Sequence, residues 1–364
     1  MKLKDMFNQE SVAALANAIQ HHYAAFNREA FIASVFGDAW EVRELKERMR
    51  HITISLHDVL PEEYRTALDI LRRALPALHS HGFVQMIFPD YVEVYGLEDW
   101  EASIPALEAF TQVVSAEYAI RPFIVHFQDR TMAQMLEWAR HKSPEVRRLA
   151  SEGCRPRLPW GIALPALKAD PSPILPVIEL LKHDESESVR RSVANNLNDI
   201  SKDRPEVVIE VLRRWQTDNT EEIRWITRHA LRTLLKAGHP DALALLGYHQ
   251  EPAIVVHNLS VEPDTIHMGD AVTFSFDIES LGDQPQNLMI DYVVHHVRAN
   301  GKQTPKVFKL TKKTIQPGQI LHIKRTHSFA PVTTRRYYPG EHAIEPKING
   351  QRFGSTAFLL RQRG

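Results

Sequence analysis

Helical repeats followed by a β-sandwich is the architecture that this sequence of 364 residues predicts, and three observations carry it. Apolar residues recur at helical spacing through the first 248 positions. Within that stretch PEVRRLASE at 144–152 is echoed by ESVRRSVANNLNDIS at 187–201 and more faintly by EEIRWITRHALRTLL at 221–235. Beyond Gly247 the texture changes to short alternating apolar runs separated by turn residues. The boundary falls near 248–252, which gives a helical domain over 1–248 and a β domain over 253–364.

In chain order, Val12, Leu15, Ile19 and Tyr23 form the first apolar stripe, and Leu45, Met49, Ile52, Leu56 and Val59 the second. Pro61 is expected to open a helix carrying Tyr64, Leu68, Leu71, Leu75 and Leu78. GFVQMIFPDYVEVYG at 82–96 is aromatic, β-prone and broken by Pro89, so it is expected to be a buried connector. A helix over 100–114 contains Pro105. In SAEYAIRPFIVHF, Glu117 reads on its own as an exposed helix-end acid.

HKSPEVRRLASEGCRPRLPWG at 141–161 is the richest stretch. Ser143 is a cap, Pro144 suits the first helical position, Glu145 faces the positive helix end and Gly153 is a stop. Arg148 and Glu152 lie four apart and so share a face. Glu152 sits where the helix dipole is negative, which disfavours its charge unless Arg148, Arg155 and Arg157 compensate. Val146, Val189 and Ile223 fall in register, as do Arg147, Arg190 and Arg224, at separations of 43 and then 34 residues. Those periods fit helical pairs of the HEAT or armadillo kind, with an insertion that carries Trp160. About seven strands after 252 indicate an immunoglobulin-like sandwich without its disulfide.

Forty-four Lys and Arg against 45 Asp and Glu give a formal charge of −1, yet 285–364 holds fourteen basic residues and only Asp291, Glu341 and Glu345 as acids. Such asymmetry is compatible with a polyanionic partner. Cys154 is the sole cysteine, which excludes a disulfide framework and fits a reducing, cytoplasmic setting; it is expected to be structural. No apolar run is long enough to span a bilayer, and no secretory leader is expected. Phosphate-loop, dinucleotide and zincin motifs are absent. Nineteen histidines invite a metal, but His21 and His22, His79 and His81, and His295 and His296 have no cysteine or carboxylate at ligand spacing, so no metal or cofactor is expected.

What remains is arginine on a repeated helix face. Arg147, Arg190 and Arg224 could line a groove that grips a phosphate backbone, or could form a ladder with neighbouring acids. Asn195, Asn196, Asn198 and Asp199 are poor helix formers placed in a repeat helix, as inter-repeat hydrogen bonds or as ligand contacts. Trp160 is either core or an exposed ring able to face a cation.

With VRRLASEGCRPRLPWG, SVRRSVANNLNDISKDRP and SAEYAIRPF in this order, the chain resembles the DNA alkylation repair glycosylases built from HEAT-like repeats, in their AlkC branch. The resemblance covers essentially all of the first 248 residues, and some members of that branch carry a C-terminal immunoglobulin-like domain. It implies cofactor-free hydrolysis of the N-glycosidic bond of cationic N-alkylated bases in double-stranded DNA, 3-methyladenine and in this branch 3-methylcytosine, without full base flipping. Glu117 and Glu152 match catalytic positions, and Asp199 a further acidic one. Arg148 would contact the DNA backbone or orient Glu152, and Trp160 would abut the lesion. Arg147, Arg155, Arg190, Arg191 and Arg224 complete the expected DNA-contacting set. The two carboxylates are expected to converge beside Trp160, in a protein acting as a monomer. The aspartate between aromatic residues that marks the AlkD branch is not apparent. The competing class is a noncatalytic helical-repeat scaffold binding protein or damaged DNA.

Overall fold

Helices succeed one another from Gln9–His22 to Pro240–Ala244 in the computed structural model, which describes residues 2–37, 39–79, 82–332 and 335–362. His81 lies outside the described residues. Local chemistry sets most helix starts. Asn8 accepts from the Ser11 amide at 3.0 Å to open the first helix, which buries Val12, Leu15 and Ile19. Glu63, not Pro61, caps the helix Tyr64–Ala74 by accepting from the Arg65 and Thr66 amides, because a carboxylate can hold two orphan donors and proline only removes one. Asp99 caps Trp100–Thr111, which absorbs Pro105 in its interior.

The stretch 82–96 departs from the expected connector. It forms a 3₁₀ turn, Gly82–Met86, running into an α-helix, Ile87–Tyr95. Pro89 is the third residue of that helix, where its missing N–H is one of the unpaired first-turn donors, so the proline breaks nothing.

The three repeat helices are Pro144–Gly153, Glu187–Ile200 and Glu221–Ala230, and each packs on the next. Val146, Val189 and Ile223 are all buried, as their shared register requires. Leu175–Leu181 and Pro205–Trp215 run between them.

The chain divides into two compact units, Met1–Val208 with Trp215–Ala230, and Ile209–Arg214 with Leu231–Gly364. The change of sequence texture near 248–252 therefore lies inside the second unit. The helices Arg232–Ala237 and Pro240–Ala244 belong there with the strands. Gly238 and Gly350 explain the attachment: both have positive φ, and a Cβ on Gly238 would lie 2.7 Å from the Gly350 Cα. Only glycine permits that backbone approach.

Among the described residues nine strands follow: β1 Ile254–Glu262, β2 Thr265–His267, β3 Ala271–Ser280, β4 Gln286–Val297, β5 Gln303–Ile315, β6 Ile320–Ser328, β7 Gly340–Ile348, β8 Gln351–Arg352 and β9 Thr356–Arg361. One sheet runs β1-β3-β6 and the other β2-β9-β7-β4-β5, with β8 on β7. Phe274, Phe276 and Ile278 of β3 face Ile290, Tyr292 and Val294 of β4 across a common apolar core, as a sandwich requires. The two strands beyond the expected seven include β2 and β8, each of three residues or fewer, too short to show a period.

Candidate active site

The stretch 141–161 folds largely as its chemistry dictates. Ser143 caps the helix Pro144–Gly153, accepting from the Val146 amide at 3.4 Å, with Pro144 at its first position. Gly153 has another role than the expected stop. It is the last helical residue, without a positive φ, and a Cβ there would lie 2.7 Å from Ile120 Cγ2. Its bareness lets the segment bearing Glu117 approach the segment bearing Glu152.

Arg148 stands between the two acids. Its Nη2 lies 3.0 Å from Glu117 Oε2 and 3.9 Å from Glu152 Oε1, and its Nη1 donates to Ser115 Oγ at 2.9 Å. The Ser115 hydroxyl in turn donates to Glu117 Oε2. Both catalytic candidates thus meet on one guanidinium, although 35 positions separate them in the sequence.

The two carboxylates are held differently. Glu152 is fully engaged: Arg155 Nη1 donates to Oε1 at 2.6 Å and Ser192 Oγ donates to Oε2 at 2.6 Å. For Glu117 both partners, Arg148 and Ser115, are on Oε2; among the described residues Oε1 has none. That free oxygen belongs to a group lining a cavity of about 190 Å³ walled by Met49, Met86, Tyr118 and Trp160. Glu152 borders a different cavity, of about 550 Å³, with Arg148, Arg191, Ser192 and Asn195. The expected convergence beside Trp160 is therefore corrected: the acids converge on Arg148, and Trp160 shares a cavity with Glu117 alone.

Asp199 lies behind Glu152. It is 1% exposed, accepts from Arg155 Nε at 2.8 Å and from Lys202 Nζ at 2.8 Å, and lines neither cavity. Burial pulls the Arg155 guanidinium down, but Glu152 and Asp199 outweigh it and leave its pKa raised. Arg155 is itself 6% exposed, so it ties two repeats together from within.

Trp160 is an exposed ring, at 61%, on a residue with φ of 65°. Two groups that the sequence did not single out hold its loop. Arg121, wholly buried, donates from Nη1 to the Gly153 and Arg155 carbonyls at 2.8 and 2.9 Å, and from Nε to the Ile162 carbonyl at 2.6 Å. Burial lowers its pKa to about 10, which still leaves it charged at neutral pH. Lys46, from the helix Leu45–His57, donates to the Trp160 carbonyl at 2.7 Å and stands 4.8 Å over the Tyr118 ring. Tyr118 beside Glu117 was the one available signal. Lys46 had none.

The arginines in register turn inward to their own repeats. Arg147 donates to the His141 and Lys142 carbonyls at 3.0 and 2.9 Å, and Arg190 to the Asp184 and Glu185 carbonyls at 2.5 and 2.9 Å. Arg224 donates to the Asn219 carbonyl at 2.8 Å. Each clips the loop before its own helix, five or six positions back. Arg147 adds a two-pronged pair with Asp184, at 2.5 and 3.0 Å. Arg191 is exposed, pairs with Glu187 and edges the larger cavity. Asn196 reaches across repeats to the Ser151 carbonyl at 2.8 Å, which gives the asparagine cluster its inter-repeat role. Cys154 is buried, which pushes its thiol up to about 12 and makes it inert as a nucleophile. His295 does have a carboxylate, Glu345 at 2.9 Å, supplied fifty residues on, but His296 beside it faces Arg335.

A solenoid face bearing clustered carboxylates and arginines, in a chain that also carries a sandwich, defines a class whose known members specify it further. The sequence profile of the DNA alkylation repair enzymes matches residues 100–234, and that of the YhaZ C-terminal immunoglobulin-like domain matches 255–362. The uncharacterised protein YhaZ of Bacillus subtilis (strain 168) is 46% identical over 98% of this chain and 99% of its own. The alkylpurine DNA glycosylase AlkC of Pseudomonas fluorescens, solved with DNA containing an abasic-site analogue, superposes with a TM-score of 0.94 at 40% identity, covering 99% of this chain and 100% of that one. The chain belongs to the DNA alkylation repair enzyme family, in its AlkC branch.

Proposed function

We propose that the protein is a monofunctional DNA glycosylase of base excision repair that hydrolyses the N-glycosidic bond of cationic N-alkylated bases, 3-methyladenine and 3-methylcytosine, in double-stranded DNA. The observation that carries this is the pair of carboxylates on one arginine, of which Glu117 keeps an unengaged oxygen at a cavity edged by an exposed tryptophan. The chemistry suits that arrangement. When the bond from C1′ to the base nitrogen breaks, its electron pair neutralises a base that was already cationic, so no acid is required at the leaving group. Positive charge then appears on the deoxyribose. A carboxylate fixed in advance stabilises it and accepts a proton from the water that attacks C1′.

Arg148 and Ser115 hold Glu117 by one oxygen and leave the other for the sugar or the water. Glu152, anchored by Arg155 and Ser192, fixes Arg148 from the far side. Asp199 supports Arg155 and acts at one remove. Arg148 and Arg191 remain the phosphate contacts nearest the site, and the basic sandwich, with its excess of lysine and arginine, grips the duplex as an accessory domain. Trp160 abuts the lesion nucleotide, which stays short of full flipping. The protein acts as a monomer without a cofactor. Among the described residues no helix is long and apolar enough to cross a membrane.

Incubation with methylated DNA and chromatography of the released bases tests this. Release of methylated adenine is expected, reduced by about 10²-fold or more in Glu117→Gln. Inactivity of the wild type on alkylated purines and pyrimidines alike would leave the noncatalytic scaffold in possession; undiminished release by both Glu117→Gln and Glu152→Gln would remove the site assignment.

A further inference from the structure

The cavity at Glu117 already contains a cation. Lys46 Nζ stands over the Tyr118 ring and donates to the Trp160 carbonyl, so an aromatic face and a carbonyl oxygen hold one ammonium at a cavity that Glu117 also lines. The polar cluster behind it needs no such help. Glu117, Glu152 and Asp199 already pair with Arg148, Arg155 and Lys202, and the buried Arg121 guanidinium acts on Glu117 and Asp199 as a further cation. The Lys46 ammonium makes no ion pair among the described residues, and it sits on a long flexible stem whose residue is otherwise exposed. A second cation brought beside it would be repelled. A cation that replaced it would leave the charge of the site unchanged.

We propose that Lys46 is the resident cation of this site, and that a flat N-alkylated heteroaromatic cation presented at the mouth of the cavity displaces its ammonium from the Tyr118 face and the Trp160 carbonyl. The proposal rests on the glycosylase function for its biological ligand, but not for its test. It makes Lys46 and Tyr118 specificity-determining residues. A neutral base that expelled the ammonium would leave the site one positive charge poorer, whereas a cationic base restores it, and aromatic faces hold a desolvated cation with useful strength. Discrimination between alkylated and ordinary bases would then begin before any bond breaks. Lys46 also changes partner on displacement: it releases the Trp160 carbonyl, and the ring at the mouth is freed from the helix Leu45–His57 at the moment a ligand arrives.

The test needs no DNA and no turnover. Calorimetry of the full chain with 3,9-dimethyladeninium, a fixed cation, is compared with 9-methyladenine, a neutral ring of nearly the same shape. The wild type is expected to favour the cation by about tenfold. Lys46→Met removes the competitor and one positive charge, and is expected to tighten the cation several-fold more than it tightens the neutral ring. Tyr118→Phe retains the preference and Tyr118→Leu loses it. If Lys46 only braces the Trp160 loop, Lys46→Met weakens both probes alike or neither, and the proposal falls. Equal affinity of the wild type for the two probes overturns it as well. Both results stand apart from base release, so a failed glycosylase assay with a positive displacement result removes the activity and keeps the cation site.

Discussion

In the helical unit Glu152, Arg155 and Asp199 are each less than a tenth exposed and held as ion pairs; in the second unit His296, His327 and His342 are as deeply buried among Phe308, Phe329 and Tyr337 and, among the described residues, hold no carboxylate. Burying charge is costly in both places. The helical unit offsets the cost with partners, whereas the histidine cluster of the sandwich avoids it by staying neutral. Burial, with Arg335 alongside, pushes His296 down to about 3 and His327 down to about 4; burial lowers His342 too. Strongly perturbed groups often mark active sites. Here the most perturbed histidines lie in an apolar core, and the candidate site is a place where opposite charges balance. A displaced pKa says that a group has been desolvated, and only geometry says for what purpose.

Breaking the paired cluster has the largest expected effect. Arg155→Ala strands Glu152 and Asp199 in the interior and is expected to cost about 3–5 kcal/mol, read from the urea midpoint of the helical unit. A loss under 1 kcal/mol would mean that water enters and the pairing is dispensable. Next come the two acids. Glu117→Gln should lower base release by about 10²-fold, close to 3 kcal/mol of barrier, with the urea midpoint nearly unmoved, because its second oxygen has no structural partner. Glu152→Gln should lower both. Identical stability profiles would erase the distinction between a presented and an anchored carboxylate.

Acid probes the neutral side of the comparison. Folded pKa values below the ordinary 6.5 mean that unfolding takes up protons, so these histidines stabilise fully above pH 6.5 and progressively less as pH falls towards 4. Well inside that window each costs about 1.4 kcal/mol per pH unit. The sandwich should therefore melt before the helices near pH 4.5, and His296→Phe should flatten the slope. The smallest effect concerns the arginines. Arg191→Ala should reduce the slope of log affinity for DNA against log salt by about one, while Arg224→Ala, a loop clip, should leave it nearly unchanged.

How far the sequence disclosed all this depended on the range of the forces involved. Caps and stripes act within a turn or two, so Ser143 and the register of Val146, Val189 and Ile223 were legible at once. The i,i+4 spacing placed Arg148 with Glu152, but only the family resemblance raised Glu117 above an exposed acid. Spacing alone could not show that Arg147, Arg190 and Arg224 turn back on their own loops, because a helix face does not reveal which way a long side chain bends. The helix Ile87–Tyr95 leaves no clear sequence sign because aromatic and β-branched residues suit a buried helix as well as a strand, and because Pro89 is tolerated only by virtue of its place in the first turn. Met49, Met86 and Lys46 reach the cavity through tertiary packing and leave no local mark.

Arg121 fixes the backbone of the loop at 153, 155 and 162 through carbonyls, which every residue type possesses. Length and identity are thereby uncoupled. One residue inserted between 156 and 161 would pull a carbonyl off the guanidinium, while a new side chain at 160 would leave all three in place. The loop is thus a fixed mount with an exchangeable tip, on which evolution or an engineer can change the side chain at the cavity's edge by substitution and has no freedom to change it by lengthening.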